Sequence, residues 1–272
     1  MPIKMLERQR PWIVLGLALM VVGWVVGGWW VYRSHRGPGG GVSVEVRELT
    51  VNGLVRRYRL AVPRGATAER RWPLVVALPG ALDTPDEMAG YTGLDATAAK
   101  HGLAVAYLEG RHLNWPPFIP PENPDIMQPD VDFFEALCES LAEDDGIDPA
   151  RIYVVGVSQG GSMANVLTAM SAGRIAATVC NCGWLPAPLG ESPLTTARPV
   201  PMLFIVGSND RQVSPTTVRA AHDAFQRAGH PVTWYEMEGH GHGWANVDEL
   251  NERIWAFCAA HENSPSTRSE AR

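Results

Sequence analysis

Residues 151–161 read Arg-Ile-Tyr-Val-Val-Gly-Val-Ser-Gln-Gly-Gly, and this stretch constrains the fold more than any other. Ile152, Tyr153, Val154, Val155 and Val157 are β-favouring, whereas Ser162, Met163, Ala164, Asn165, Val166 and Leu167 read as a helix. A strand that turns into a helix within a Gly-x-Ser-x-Gly puts Ser158 on the turn, in a backbone conformation that is strained for a residue with a side chain. Such a turn closes only if Gly156 and Gly160 present no Cβ to the strand and helix that meet there. The serine hydroxyl is then lifted clear of the sheet, beside the unpaired N–H groups of a helix N-terminus. The pattern therefore marks Ser158 as a candidate nucleophile on an α/β scaffold.

The rest of the chain agrees with that scaffold. Residues 42–47 and 56–62 alternate apolar and polar side chains around Asn52-Gly53, which is a hairpin signal. Residues 73–78 and 104–108 are almost wholly apolar, as strands covered on both faces are. Helical patterns at 86–100, 130–143, 159–172, 216–228 and 247–260 alternate with further strands at 177–181, 202–206 and 232–237. This order predicts a doubly wound, mostly parallel sheet with the first hairpin at its edge. Two proline-rich stretches, 109–129 and 183–201, follow the C-terminal ends of strands, where open α/β sheets bind ligands. They are the expected walls of an open cleft without a helical lid.

The N-terminus carries a different signal. Residues 11–32 contain no charged side chain, with Lys4, Arg8 and Arg10 before them and Arg33 and Arg36 after. The run is long enough to span a bilayer, and Trp12, Trp29, Trp30 and Tyr32 lie at its ends, where aromatic rings suit the headgroup zone. It ends in Gly-Gly-Trp-Trp-Val-Tyr, which differs from the small-residue site of a cleaved signal peptide. The expectation is an uncleaved, single-pass signal anchor that leaves the following domain outside the cytoplasm. The predicted organisation is a basic segment at 1–10, a transmembrane helix at 11–32, a linker at 33–41, an α/β domain at 42–262 and a polar, disordered tail at 263–272. The net charge of −6 offers no basic field for nucleic acid. Cys138, Cys180, Cys182 and Cys258 allow at most two disulfides, but their spacing suits neither a Cys180–Cys182 bond nor a zinc site, and buried free thiols are expected.

A nucleophilic serine needs a base and an acid to orient that base, each in a loop past a strand end and later in the chain. The strand at 202–206 runs into Gly-Ser-Asn-Asp and so presents Asp210; the strand at 232–237 runs into Glu-Gly-His-Gly-His-Gly-Trp and presents His240 and His242. Residues two apart in an extended loop share a side, so either histidine could serve. A His-x-His metal site would need further ligands that the sequence does not place, and neither metal nor cofactor is expected. Oxyanion donors should come from the backbone of Gln159 and of the Pro79-Gly80-Ala81 turn, where Pro79 has no N–H and Ala81 or Gly80 must donate. Trp115, Trp184 and Trp244 fall on loops at the same end of the sheet and are candidate contacts for ring-containing substrates.

Several segments together resemble a known family: Pro-Leu-Val-Val-Ala-Leu-Pro-Gly-Ala at 73–81, Gly93-Leu94-Asp95, His101-Gly102-Leu103, Asp130-Val131-Asp132-Phe133, the run 147–153 and the serine turn. Over residues 46–258 the chain is similar to the secreted polyhydroxybutyrate depolymerases and feruloyl or acetylxylan esterases of the α/β-hydrolase superfamily. That resemblance implies a serine esterase acting on polymeric, phenolic or sugar esters, with Ser158, Asp210 and His242 as triad, His242 being selected by Gly-His-Gly-Trp at 241–244. Two departures stand out: Pro79-Gly80 where the family has His-Gly, and Gln159 where Asn or Ala is usual. A peptidase or acyltransferase on the same triad, or a tethered binding protein on a hydrolase scaffold, are the alternative readings.

Overall fold

In the computed structural model, residues 41–64, 71–115, 126–190 and 194–263 are described, and all fall in one compact unit. The segments expected at 1–10, 11–32 and 33–40 and the tail at 264–272 lie outside these residues. Among the described residues no helix is long and apolar enough to cross a membrane.

The strands are β1 (Val42–Val51), β2 (Leu54–Pro63), β3 (Trp72–Leu78), β4 (Ala104–Leu108), β5 (Ile147–Val157), β6 (Ala177–Asn181), β7 (Met202–Gly207) and β8 (Val232–Met237). They form one sheet in the order β1-β2-β4-β3-β5-β6-β7-β8. The β1–β2 hairpin turns at Asn52-Gly53 and joins β4 antiparallel, so it occupies one edge; every pairing from β4 to β8 is parallel. The helices are α1 (Pro85–Thr92), α2 (Leu94–His101), α3 (Gln128–Asp144), α4 (Gln159–Met170), α5 (Pro215–Arg227) and α6 (Val247–Ala259), with a single helical turn at Ala187–Gly190.

The period of two along each central strand sorts its side chains into two cores. Leu74, Val76 and Leu78 of β3 and Ile152 and Val154 of β5 pack against α3, α4 and α5 through Phe133, Phe134, Leu137, Met163, Leu167 and Phe225. Val75 and Ala77, with Tyr153, Val155 and Val157, pack on the other face against α1, α2 and α6 through Met88, Leu94, Ala98, Leu250 and Ile254. Helices on both faces leave the strand ends and their loops as the only exposed part of the central sheet.

The expected helix at 86–100 is two helices. Thr84 begins α1 with a capping box, its hydroxyl accepting the Glu87 N–H while the Glu87 carboxylate accepts the Thr84 N–H. Gly93 then adopts φ 64°, a left-handed conformation that ends α1, and the chain restarts as α2. The apolar pattern runs on through both helices, which is why it reads as one. β5 also starts at Ile147, five residues earlier than its β-branched run, because Ile147 pairs with Trp72 before a register shift.

Charge holds the described residues that follow β4. Asp130 on α3 is buried and accepts from Arg56 at 2.7 Å and from Arg111 at 2.9 Å, and Arg111 also donates to the Ile126 carbonyl at 2.6 Å. A buried carboxylate shared by two guanidiniums satisfies its lone pairs and ties Arg111, four residues before Trp115, to α3. All four cysteines are free thiols and buried.

Candidate active site

Ser158 sits at the β5–α4 junction with φ 56° and ψ −118°. The turn is closed by backbone contact. A Cβ on Gly156 would lie 2.1 Å from the Gly160 carbonyl oxygen, and one on Gly160 would lie 2.0 Å from the Leu78 oxygen and 2.4 Å from that of Pro79. The elbow is therefore pressed against the end of β3, which carries the turn expected to supply an oxyanion donor. Gly80 itself faces the nucleophile, since a Cβ there would be 3.7 Å from the Ser158 Cβ.

The structure brings Ser158, His242 and Asp210 into one hydrogen-bonded line. His242 Nε2 is 2.9 Å from Ser158 Oγ, and its Nδ1 is 2.7 Å from Asp210 Oδ2. Asp210 follows β7 and its side chain is fully buried. Its other oxygen accepts the backbone N–H groups of Gln212 and Val213, both at 2.9 Å. Burial alone would raise the Asp210 pKa, but the bond from His242 and the two backbone donors outweigh it and hold the carboxyl below its ordinary range. An ionised carboxylate at Nδ1 fixes the tautomer that leaves Nε2 free to accept a proton from Ser158.

His240 takes a different place. Its ring contacts the Asn246 side chain at 3.3 Å, while its backbone carbonyl accepts the Asn209 N–H at 2.8 Å and ties the β8 loop to the β7 loop. The thiol of Cys182 comes within 4.8 Å of both the Asp210 and His242 ligand atoms. Burial and the neighbouring Asp210 push that thiol up to about 12, so it is a protonated neighbour at neutral pH.

Gln159 is the first residue of α4 and Ala81 lies exposed in the turn after β3. The N–H of a first helical residue has no partner within its helix and is available to a ligand. Asp83, two residues beyond Ala81, accepts the Tyr91 hydroxyl at 3.1 Å. Its pKa is raised, burial being the largest cause.

The three tryptophans separate. Trp115 is only 3% exposed; its indole N–H donates to the Pro79 carbonyl and its backbone N–H to Gln159 Oε1, both at 2.9 Å. It therefore backs the turn after β3 and the elbow, and little of the residue is exposed. Trp244 packs partly buried toward α6 and donates its indole N–H to Asn251 at 3.0 Å. Trp184 is half-buried beside α4, its backbone N–H bonded to Ser162 Oγ at 2.9 Å and its carbonyl to Asn165 at 3.0 Å. The sequence reading missed Asn181, a wholly buried polar residue at the end of β6 that contacts both the Ser158 and the His242 loops. Its only sequence signal is an amide ending an otherwise apolar strand.

The backbone matches the solved structure of esterase Est22 with a TM-score of 0.66 over 89% of this chain and 87% of that one, at 17% identity. The chain has the α/β-hydrolase fold. A ferulic acid esterase structure shares the fold at a TM-score of 0.63, 14% identity, 81% of this chain and 98% of that one. Residues 124–252 match the phospholipase/carboxylesterase family model. A curated relative, "Putative esterase NocK" of Nocardia uniformis subsp. tsuyamanensis, is 36% identical over 181 residues, 65% of this chain. The alignment spans 51% of that relative, so this chain matches about half of its length.

Proposed function

We propose that the protein is a serine carboxylic-ester hydrolase in which Ser158, His242 and Asp210 are the triad. The observation that carries this reading is the unbroken line from Asp210 through His242 to the Ser158 hydroxyl, with contacts of 2.7 and 2.9 Å. His242 Nε2 takes the Ser158 proton as Oγ attacks the acyl carbon, and the tetrahedral oxyanion is met by the backbone N–H groups of Gln159 and Ala81. The imidazolium then protonates the departing alcohol, which leaves an acyl-Ser158. Water, deprotonated by the same imidazole, releases the acid and restores the serine. Asp210 stays ionised throughout and stabilises the imidazolium.

The finer reading is of phenolic, sugar or polymeric esters met outside the cytoplasm, by a catalytic domain at 42–262 anchored through residues 11–32. The motif resemblance to the depolymerase and feruloyl esterase family supports the ester class, and the likeness to a ferulic acid esterase structure is consistent with it. The uncharged run at 11–32 with its aromatic ends supports the anchor.

A fluorophosphonate probe together with a p-nitrophenyl ester assay tests the chemistry. Wild-type protein should be labelled on Ser158 and turn the ester over, and Ser158→Ala should lose both. His242→Ala should abolish turnover while His240→Ala keeps most of it. A Ser158→Ala protein as active as wild type would discard the mechanism, and failure of folded wild type to label would favour a binding protein.

A further inference from the structure

We propose that Asn181, the last residue of β6, is a positioning residue that sets the His242 loop against Ser158. The proposal rests on the triad reading above and adds to it a group that touches none of the reacting atoms.

The sheet order creates the need for such a residue. Ser158 stands at the end of β5 and His242 in the loop after β8, with β6 and β7 between them. Neighbouring strands lie about 4.8 Å apart, so the histidine loop must reach back roughly 14 Å across two strand ends. A loop that long brings a base within 2.9 Å of a hydroxyl reproducibly only if it is held along the way.

Two holds are visible, one on each intervening strand. At the end of β7, Gly207 leaves room for the loop to lie flat: a Cβ there would be 2.2 Å from the Gly241 oxygen and 2.4 Å from that of His240. At the end of β6, the Asn181 side chain donates from Nδ2 to the Gly243 carbonyl at 3.2 Å. The same residue uses its backbone carbonyl to accept the Ser158 N–H at 2.8 Å. Asn181 is thus bonded at one end to the nucleophile's own peptide and at the other to the residue following the base. No other single residue described here bridges those two segments in this way.

The chemistry of the amide is specific. Its Oδ1 accepts the Cys182 thiol at 3.1 Å, and a carbonyl can only be met by the NH2 end, so both ends of the amide are assigned by their partners. Cys182 is aimed by a left-handed backbone, φ 53°, with its N–H donating to the Ile205 carbonyl at 2.8 Å. A non-glycine residue held there is strained, and such strain is kept where a side chain must be directed. Aspartate at 181 has the same shape but no N–H for Gly243, and leucine fills the same space with neither donor nor acceptor.

Full-length Asn181→Leu and Asn181→Asp proteins test this, with kcat and KM measured on a p-nitrophenyl ester. The expected result is a kcat about 30- to 100-fold lower with KM within twofold of wild type, because a displaced base costs turnover and leaves ground-state binding intact. In parallel, the low-field proton resonance of the His242–Asp210 bond should weaken and exchange faster in both variants while the fold, judged by circular dichroism, is retained. A kcat within threefold of wild type, or a loss carried by KM alone, would overturn the assignment. Should Asn181→Leu not fold, the isosteric Asn181→Asp carries the same readouts. If the wild-type protein hydrolysed no ester, the resonance would still decide: unchanged in a folded variant, it removes the positioning role independently of the hydrolase reading.

Discussion

The indole N–H of Trp115 donates to the carbonyl oxygen of Pro79 at 2.9 Å, and that oxygen is also one that a Cβ on Gly160 would strike. A large aromatic side chain is thereby committed to holding the oxyanion turn against the elbow. Trp115→Phe keeps most of the packing and leaves a buried carbonyl without its donor, a loss of about 1–3 kcal/mol. The expected outcome is a roughly tenfold drop in kcat/KM that is the same for aryl, acetylated-sugar and plain butyrate esters. A change in the ranking of those esters, measured side by side, would instead return the ring to contact with substrate.

Gly160→Ala should be far more damaging than its one added methyl suggests. The new Cβ would sit 2.0 Å from the Leu78 oxygen, and the atoms it meets are main chain, which cannot swing aside as a flexible side chain does. We expect destabilisation of about 3 kcal/mol or more and loss of probe labelling. Gly173→Ala, where nothing lies within 4 Å of the added carbon, should change the melting temperature little. Equal melting temperatures for the two variants in calorimetry would contradict the close contact.

Two carboxyls at the site should respond to pH with opposite sign. Asp210 is held below its ordinary pKa of 3.8, so its stabilising contribution is present above the unfolded value of about 3.9 and fades as pH falls through the lower folded value. Asp83 is raised above 3.8, chiefly by burial, so the native state keeps its proton to higher pH than the unfolded chain does. Stability is then lost as pH rises from about 3.9 through the folded pKa of Asp83. Asp83→Asn should therefore raise the melting temperature at pH 7 more than at pH 3, and Asp210→Asn should lower it at pH 7 more than at pH 3. Melting curves at the two pH values check both, and a reversed order for either variant would refute its assigned shift.

Much of the scaffold is legible in the sequence because burial on two faces forces apolar strands, and because the serine turn needs glycines at fixed offsets. Asp210 and His242 can be found for the same reason: each follows directly on a strand whose end the pattern marks. The choice between His240 and His242 is different, since two alternating loop residues look alike by spacing and only the Gly-His-Gly-Trp resemblance at 241–244 separates them. Trp115 shows the limit of reading side-chain direction from a loop, because the sequence gives its position beside the cleft and not the carbonyl it turns toward. Asn181 is hidden further: its partner Gly243 is 62 residues away, and an amide at a strand end looks like any capping residue. The break at Gly93 is missed because the apolar spacing is kept across it.

The joint between β3 and the elbow is made of main-chain atoms alone, the Leu78 and Pro79 carbonyls lying where the side chain of residue 160 would be. Every chain with this turn has those atoms, whatever lines its cleft. Selection acting on side chains such as the exposed Leu82, or a directed-evolution campaign randomising them, can therefore explore new acyl and alcohol groups without disturbing the alignment of nucleophile and oxyanion turn. Evolvability of specificity here is a property of the backbone.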